Sequence, residues 1–423
     1  MKFTTPALGL VLAFGATPVL AQMGYGNPQP SAQPQQRLPQ PAPAQDAGKE
    51  PQIRPSNGAL KAIIALQTAV NASDFANVPA KAAEAQKVAK TKEDRYLIGQ
   101  LQLKAALASK DNAALASAID AVAASAYLDS TKVGELYRGL GGTFYNAKQY
   151  DPAAAAFDKA IAADPRSQDA MLMLAETRNS QGRKADAVSI FQRAIQASIA
   201  AGQKPREEVY RRTVALAYDG NLPSAPELGR QWVAAYPSSD SWRNSIAIYR
   251  NLTRPDVEGT LDLLRLMQAA NALSAAADYN LFATAAAEQL NYNEAQAVLD
   301  AGIAAKIVDP GSPLFKDTIL ALKTKPKATA ADLAVATKTA QSGMALLRIG
   351  DRYYGMGDFA KAGELYRQSM GKPGVDPNIA NLHLGMALTR AGDKPGATAA
   401  LNAVTGERAE IAKYWLLYLQ SKA

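Results

Sequence analysis

Apolar residues recur at three- and four-residue steps from residue 57 to the end of the chain, as in the run that holds Leu60, Ile63 and Ile64. This period is typical of helices that bury one face, and the Val/Ile/Thr alternation of strands is almost absent. Breaks such as Gly182 and Gly357 leave helices of roughly ten to fifteen residues joined by tight turns. The pattern predicts an all-α chain of antiparallel helix hairpins.

The clearest hairpin lies in residues 136–165. Asp151 can cap its second helix, and Pro152 can take the first helical position, where no amide donor is needed. Small residues fall where the two helices approach closely, and phenylalanines fall where the space between them needs filling. The predicted core of this hairpin consists of Tyr137, Leu140, Gly141, Phe144, Ala153, Phe157, Ala160 and Pro165.

The same pattern recurs along the chain at steps of 34 or 35 residues. One copy follows the first directly, another lies in residues 279–302, and two more lie near the C-terminus. Recurrence at a fixed period of this length is the signature of a repeat array. The recurring core positions are Leu174, Ala175, Ala187, Phe191, Ala194, Ile349, Gly350, Tyr353, Ala362, Tyr366, Leu384, Gly385, Ala397 and Leu401.

This pattern resembles the tetratricopeptide repeat family, which the 136–165 hairpin matches at essentially every position. Some copies depart from it, with Arg178 and Ala286 at a site that is usually aromatic. The resemblance implies a right-handed superhelical solenoid whose first helices line a concave groove for a peptide, a strand or another helix. It also implies a binding scaffold rather than an enzyme, with its function in the groove.

A second set of residues lies opposite the core stripe of each first helix, because successive helical residues are about 100° apart. The resemblance implies that this face lines the groove. Its mixture of charges with tyrosine favours a protein segment over a uniformly anionic polymer. The Lys and Asn pair with which some repeats of the family clamp a terminal carboxylate is missing, so we expect an internal segment as ligand. The predicted partner-binding residues are Glu135, Arg138, Tyr145, Asp169, Glu176, Asn179, Asn280, Glu288, Asp351, Tyr354, Met386 and Arg390.

Composition divides the chain further. Lys2, a short apolar run and the small residues before Gln22 are typical of a cleaved signal peptide, and the run is too short to span a bilayer. The next 35 residues hold eight Pro and eight Gln and predict an extended tether. The predicted divisions are signal peptide 1–21, Pro/Gln-rich disordered linker 22–56, degenerate hairpins 57–133, repeat-like hairpins 134–306, an irregular helical segment 307–342, repeats 343–406 and a C-terminal capping helix 407–423.

Export agrees with the absence of Cys, which also excludes disulfides, thiol catalysis and Cys-ligated metals. We therefore expect a periplasmic or secreted protein without a membrane-spanning segment in its mature form. The net charge of +8 is spread over 423 residues without a dense Lys/Arg run, so nucleic acid is not an expected partner.

The sequence carries no motif typical of catalysis, cofactor binding or metal binding. His383 is the only His, and its helical position away from the Leu384–Leu388 stripe predicts an ordinary surface residue. No phosphate-binding loop, dinucleotide glycine pattern or calcium loop is present, so no enzyme activity, cofactor or metal is expected. Two hypotheses remain: an exported scaffold that binds a protein in cell-envelope assembly, and a structural protein whose basic surface binds polysaccharide or peptidoglycan.

Overall fold

The computed structural model describes residues 53–422, so the predicted signal peptide and nearly all of the predicted linker lie outside the described residues. The described part contains twenty-one α-helices, one short 3₁₀ turn and no strand, which confirms the all-α prediction. No helix in this part is both long and apolar enough to cross a membrane. Its residues form two compact units. The first consists of the residues up to Ala147 together with Ala162–Pro165, and the second consists of Lys148–Ile161 together with the residues from Arg166 onward.

The first unit contains five helices around a core that includes Leu66, Leu97 and Ile98. A buried carboxylate orders its beginning. Asp94 accepts hydrogen bonds from the backbone and the hydroxyl of Ser56 at 2.7 and 2.8 Å and completes the capping box of the third helix with Thr91. These helices are α1 (Leu60–Asn71), α2 (Val78–Val88), α3 (Lys92–Ser109), α4 (Asn112–Ala124) and α5 (Ser130–Asn146).

The second unit continues the hairpins and holds all three tryptophans, Trp232, Trp242 and Trp415. Its helices are α6 (Tyr150–Ala163), α7 (Gln168–Ser180), α8 (Lys184–Ala200), α9 (Glu207–Asp219), α10 (Ala225–Ala235), α11 (Ser239–Thr253), α12 (Val257–Ala269), α13 (Ala276–Glu288), α14 (Tyr292–Ala304), α15 (Pro313–Thr324), α16 (Ala330–Thr339), α17 (Gly343–Gly355), α18 (Phe359–Met370), α19 (Pro377–Ala391), α20 (Lys394–Asn402) and α21 (Ala409–Ser421).

The small residues of the repeat core lie where two helices of one hairpin touch. A Cβ atom at Gly350 in α17 would lie 2.7 Å from the Tyr366 ring of α18, and one at Gly385 in α19 would collide with Leu401 of α20. The predicted core residues are buried with one exception, Pro165, which is exposed. Spacing in the sequence thus corresponds to packing between paired helices.

Replacing Gly350 by alanine should destabilise the second unit by about 1–3 kcal/mol, because the Tyr366 ring is fully buried and has no room to move away. Gly363 of α18 is a matched control, because its added Cβ would meet Leu388 at an ordinary 3.6 Å. Urea unfolding followed by tryptophan fluorescence measures both variants. An equal stability of the two variants would contradict this close helix contact.

The C-terminal helix α21 packs on the last hairpin and also on helices from the middle of the chain, namely α10 and α12. Tyr414 hydrogen-bonds Ser245 of α11 at 2.9 Å, Trp415 donates its indole N–H to Asp262 O at 3.3 Å, and Tyr418 donates to Ala269 O at 2.8 Å. Helix α21 therefore does more than cover the final repeat, because it joins the end of the second unit to its middle.

Helix α12 is the most enclosed of the helices because its residues from Leu261 to Met267 are buried all round. The predicted irregular segment 307–342 forms α15 and α16, and these are the least buried helices of the second unit. They bury only Phe315, Leu322 and Leu333.

Candidate functional site

The structure separates the predicted groove residues into two groups. Asp351, Tyr354 and Met386, predicted to face a partner, are at most 4% exposed. They belong to α17 and α19, whose inner faces meet α12 and α14, so their side chains are not available to a partner. The other nine are exposed or half-buried: Glu135, Arg138, Tyr145, Asp169, Glu176, Asn179, Asn280, Glu288 and Arg390.

A buried arginine stands at the centre of the enclosed face. The Arg265 side chain of α12 is 1% exposed and binds Glu294 of α14 through two parallel hydrogen bonds of 2.8 Å each. It also lies 3.3 Å from Asp262 and places its guanidinium 4.8 Å from the centre of the Tyr354 ring. This two-point geometry matches a carboxylate with a planar guanidinium, the strongest form of such a pair.

His383 is buried at 1% exposure, so the prediction of a surface histidine is wrong. Its ring lies between Asp262 of α12, 3.2 Å from Nε2, and Asp351 of α17, 2.8 Å from Nδ1. The angles are not those of well-aligned hydrogen bonds, so these are ion-pair contacts. Burial opposes protonation, but the two carboxylates outweigh it and raise the pKa of His383 to about 10, which keeps the ring cationic at neutral pH.

Further charges complete this group. Tyr366 donates to Asp351 at 2.9 Å, and Arg348 binds Glu258 at 2.8 Å. Burial would raise the pKa of Asp351, but His383 and the arginines around it hold that pKa well below its usual range. We call the whole set the α12 ion cluster; it comprises Glu258, Asp262, Arg265, Glu294, Arg348, Asp351, Tyr354, Tyr366 and His383.

The charged members of the α12 ion cluster pair with one another. Donor atoms of Glu258, Asp351 and His383 lie within 4.8 Å of one another, a spacing that a metal ion could bridge. Arg348 contacts both carboxylates and His383 contacts Asp351, so these groups already pair with cations of the chain itself. The members of the cluster are buried except Arg348, whose side chain is 35% exposed. The cluster's ion pairs and hydrogen bonds connect five helices: α12, α14, α17, α18 and α19.

The first helices α7, α9, α11 and α13 are joined by a ladder of polar contacts about one repeat apart. Arg212 of α9 binds Glu176 of α7 with two hydrogen bonds of 2.8 Å. Asn251 of α11 donates to the Tyr218 hydroxyl of α9 at 3.2 Å. In the next step Arg243 of α11 binds Asp278 of α13 at 2.8 Å. Unlike the α12 ion cluster, most of this ladder is partly open to solvent.

Apart from Glu176, the ladder residues were not among the predicted groove residues, and neither was Arg250, which lies beside them. It is half-buried on α11, two turns after Arg243 on the same face, and it forms no ion pair within residues 53–422. Burial and the neighbouring Arg243 lower its pKa, opposed by Asp278. The detectable signal was the seven-residue spacing of Arg243 and Arg250 beside the stripe of Trp242 and Tyr249.

Other predicted groove residues lie apart from this ladder. In the first unit, Glu135 of α5 is exposed, and Arg138 and Tyr145 are half-buried. In the second unit, the Arg390 guanidinium lies 4.6 Å from the centre of the Phe359 ring. Asn280, half-buried on α13, keeps its Oδ1 atom buried without a hydrogen-bond partner in the described part.

Comparison with known proteins supports a repeat protein. A tetratricopeptide repeat family model matches residues 138–202 and 347–410. Similar solved structures include Pseudomonas aeruginosa pilF, at 12% identity over 63% of this chain and 100% of that one, with a TM-score of 0.24. A tetratricopeptide repeat protein from Parabacteroides merdae is 10% identical over 76% of this chain and 98% of its own, with a TM-score of 0.26.

A third similar structure is the pentatricopeptide repeat protein PPR10 from maize, 12% identical over 84% of this chain and 51% of its own, with a TM-score of 0.27. No curated protein sequence matches the chain. These three structural similarities are too low to carry an argument about function. The hairpins with their fixed spacing and the two matched regions identify tetratricopeptide repeats in residues 138–202 and 347–410 of this chain.

Proposed function

We propose that this protein is an exported, non-catalytic scaffold of the cell envelope that holds a protein segment along the inner faces of α7, α9 and α11. Tetratricopeptide repeat proteins generally bind protein partners. In this chain the equivalent faces of α17 and α19 are filled by its own α12 and α14, whereas the ladder helices keep polar groups partly open to solvent.

The observation that carries the proposal is the guanidinium of Arg250, which has no ion-pair partner among the described residues. An arginine that has lost part of its hydration and has no carboxylate partner leaves strong hydrogen-bond donors unused. A carboxylate of a bound segment would satisfy them. The neighbouring Arg243–Asp278 pair is already complete, so Arg250 is the cation that an acidic residue of the ligand would contact.

Selection of random peptides by phage display on the wild-type chain tests this proposal. The selected peptides should contain an acidic residue, and Arg250→Gln should weaken their binding about tenfold, or about 1.4 kcal/mol. The matched control is Arg254→Gln, because Arg254 is exposed at the end of the same helix and forms no ion pair in the described part of the chain. Selected peptides that lack acids, or that bind both variants equally, would contradict the proposal.

Export has its own test. Val19 and Ala21, at the two positions that a signal peptidase reads, predict cleavage before Gln22. Mass spectrometry of the protein recovered from the periplasm or the medium should find a chain that begins at or near Gln22. A cytoplasmic chain that keeps Met1 would refute export and with it the envelope role.

A further inference from the structure

The hairpin of α15 and α16 is held to the second unit by few contacts. Its turn is tied to α14 by two hydrogen bonds between the Asn293 amide and the Ala328 backbone, at 3.0 and 3.1 Å. Tyr353 of α17 donates to Ala330 O at 3.3 Å. Since only Phe315, Leu322 and Leu333 are buried, most of the surface of both helices faces solvent.

Large apolar side chains stand on the exposed side of each of these two helices. Val335 is 64% exposed and Leu320 is 61% exposed, the two highest values for large hydrophobic residues in the described part. Leu320 points away from Phe315 and Leu322, and Val335 lies 200° around α16 from Leu333, taking about 100° per residue. Neither side chain is therefore part of a core.

Lysines surround these apolar residues. Lys316 and Lys323 lie one turn before and one turn after Leu320, and Lys338 lies one turn after Val335. All three are exposed and form no ion pair within residues 53–422. Residues 313–339 contain five Lys against two Asp, a net charge of +3. One of those two acids, Asp332, is engaged in the capping box of α16.

The composition favours a lipid surface over a protein or a polymer. Protein interfaces are enriched in Arg, Tyr and Trp and depleted in Lys, whereas residues 313–339 contain no Arg, Tyr or Trp. A polyanionic polymer would offer no apolar surface for Leu320 and Val335 to contact. Exposed aliphatic residues flanked by Lys suit a bilayer interface, where the aliphatic part is buried and the ammonium groups reach the headgroups.

We propose that the α15–α16 hairpin is a peripheral contact site for a membrane surface of anionic phospholipids. The lysines attract the headgroups, and Leu320 and Val335 enter the boundary of the acyl chains. The lysine contribution should weaken with added salt, because exposed charges are screened over about 8 Å at physiological ionic strength.

Vesicle co-sedimentation tests the site with the chain from Gln22 onward, which keeps every described residue. Vesicles of phosphatidylglycerol and phosphatidylcholine should bind it, and pure phosphatidylcholine should bind it much more weakly. The triple variant Lys316→Gln, Lys323→Gln, Lys338→Gln should lose about fivefold in affinity for each lysine removed. The control removes the same charge from exposed lysines of the first unit: Lys61→Gln, Lys87→Gln, Lys90→Gln.

The contribution of the apolar side chains is tested with a second pair of variants. Leu320→Ser with Val335→Ser should weaken vesicle binding severalfold, whereas Leu107→Ser with Leu290→Ser, both 54% exposed elsewhere, should not. Equal losses in test and control variants would overturn the site, because they would show attraction by net charge or general apolarity alone. Binding to polyglutamate without binding to vesicles would overturn the lipid assignment in favour of an acidic polymer.

Discussion

Replacing Arg265 by methionine is expected to lower the free energy of unfolding of the second unit by about 3–5 kcal/mol. The variant leaves Glu294 and Asp262 buried, with side-chain exposures of 6% and 0%, without the guanidinium that both contact. What remains is a 3.2 Å hydrogen bond from Asn291 to Glu294 and the ion pair of His383 with Asp262. A buried carboxylate that loses its partner is among the most costly defects in a protein interior.

Tryptophan fluorescence in urea reports on this unit because all three tryptophans belong to it. Arg212→Met is the matched control, since it also breaks a two-point pair with a glutamate, but at the surface, where such pairs contribute about 0–1 kcal/mol. The double variant Arg265→Met, Glu294→Leu should lose less than the single one, because it removes one of the stranded charges. Equal losses for Arg265→Met and Arg212→Met would show that the α12 ion cluster does not stabilise the unit.

The hairpins were predictable because their determinants are local. Gly350 and Tyr366 lie only sixteen residues apart. A small residue on one helix and a large ring on the next predict that the two helices touch at this point. The repeat period then extends the same reasoning from one copy to the next. Neighbouring helices therefore carry their packing in the pattern of core residues.

The burial of the inner faces of α17 and α19 by α12 and α14 was not predictable in this way. Asp351 and Tyr354 occupy positions that look like an open groove in any single repeat, and nothing in the repeat shows that α12 and α14 will cover them. The covering helices lie far away in the chain, as the separation of Asp262 from Asp351 shows. One clue was present: Arg265 stands inside the otherwise apolar run Leu263–Met267, where a charge needs a buried partner.

The burial of His383 could not be predicted from its sequence neighbours either. Its place between Leu382 and Leu384 indicated a helix but not which side of it would be covered. Only the two carboxylates contributed by α12 and α17 show why an imidazole is retained in the interior. Its charge also offsets part of the negative charge of the α12 ion cluster, in which four carboxylates face Arg265, Arg348 and one imidazolium. Arg408 lies 3.6 Å from Glu258 at the edge and 2.7 Å from Asp256.

The ion pairs of His383 make the second unit sensitive to alkali. The unfolded chain gives up the His383 proton near pH 6.5, whereas the folded chain holds it to about pH 10. Between those values the folded state binds one more proton, so the free energy of unfolding should fall as pH rises, by up to about 1.4 kcal/mol per pH unit. Below pH 6.5 this contribution is fully present, and it disappears as pH passes through the folded pKa.

Urea unfolding of the second unit at pH 7, 8 and 9 should therefore show a loss of about 2–3 kcal/mol across this window. The measurement isolates one group, because His383 is the only His in the chain and ordinary Lys and Tyr side chains titrate mainly above pH 9. His383→Gln should be less stable at pH 7, since Asp262 and Asp351 lose their shared cation, and its stability should be nearly flat from pH 7 to 9. A flat profile for the wild-type chain would mean that the buried imidazole is neutral, and the α12 ion cluster would then carry a larger excess of negative charge.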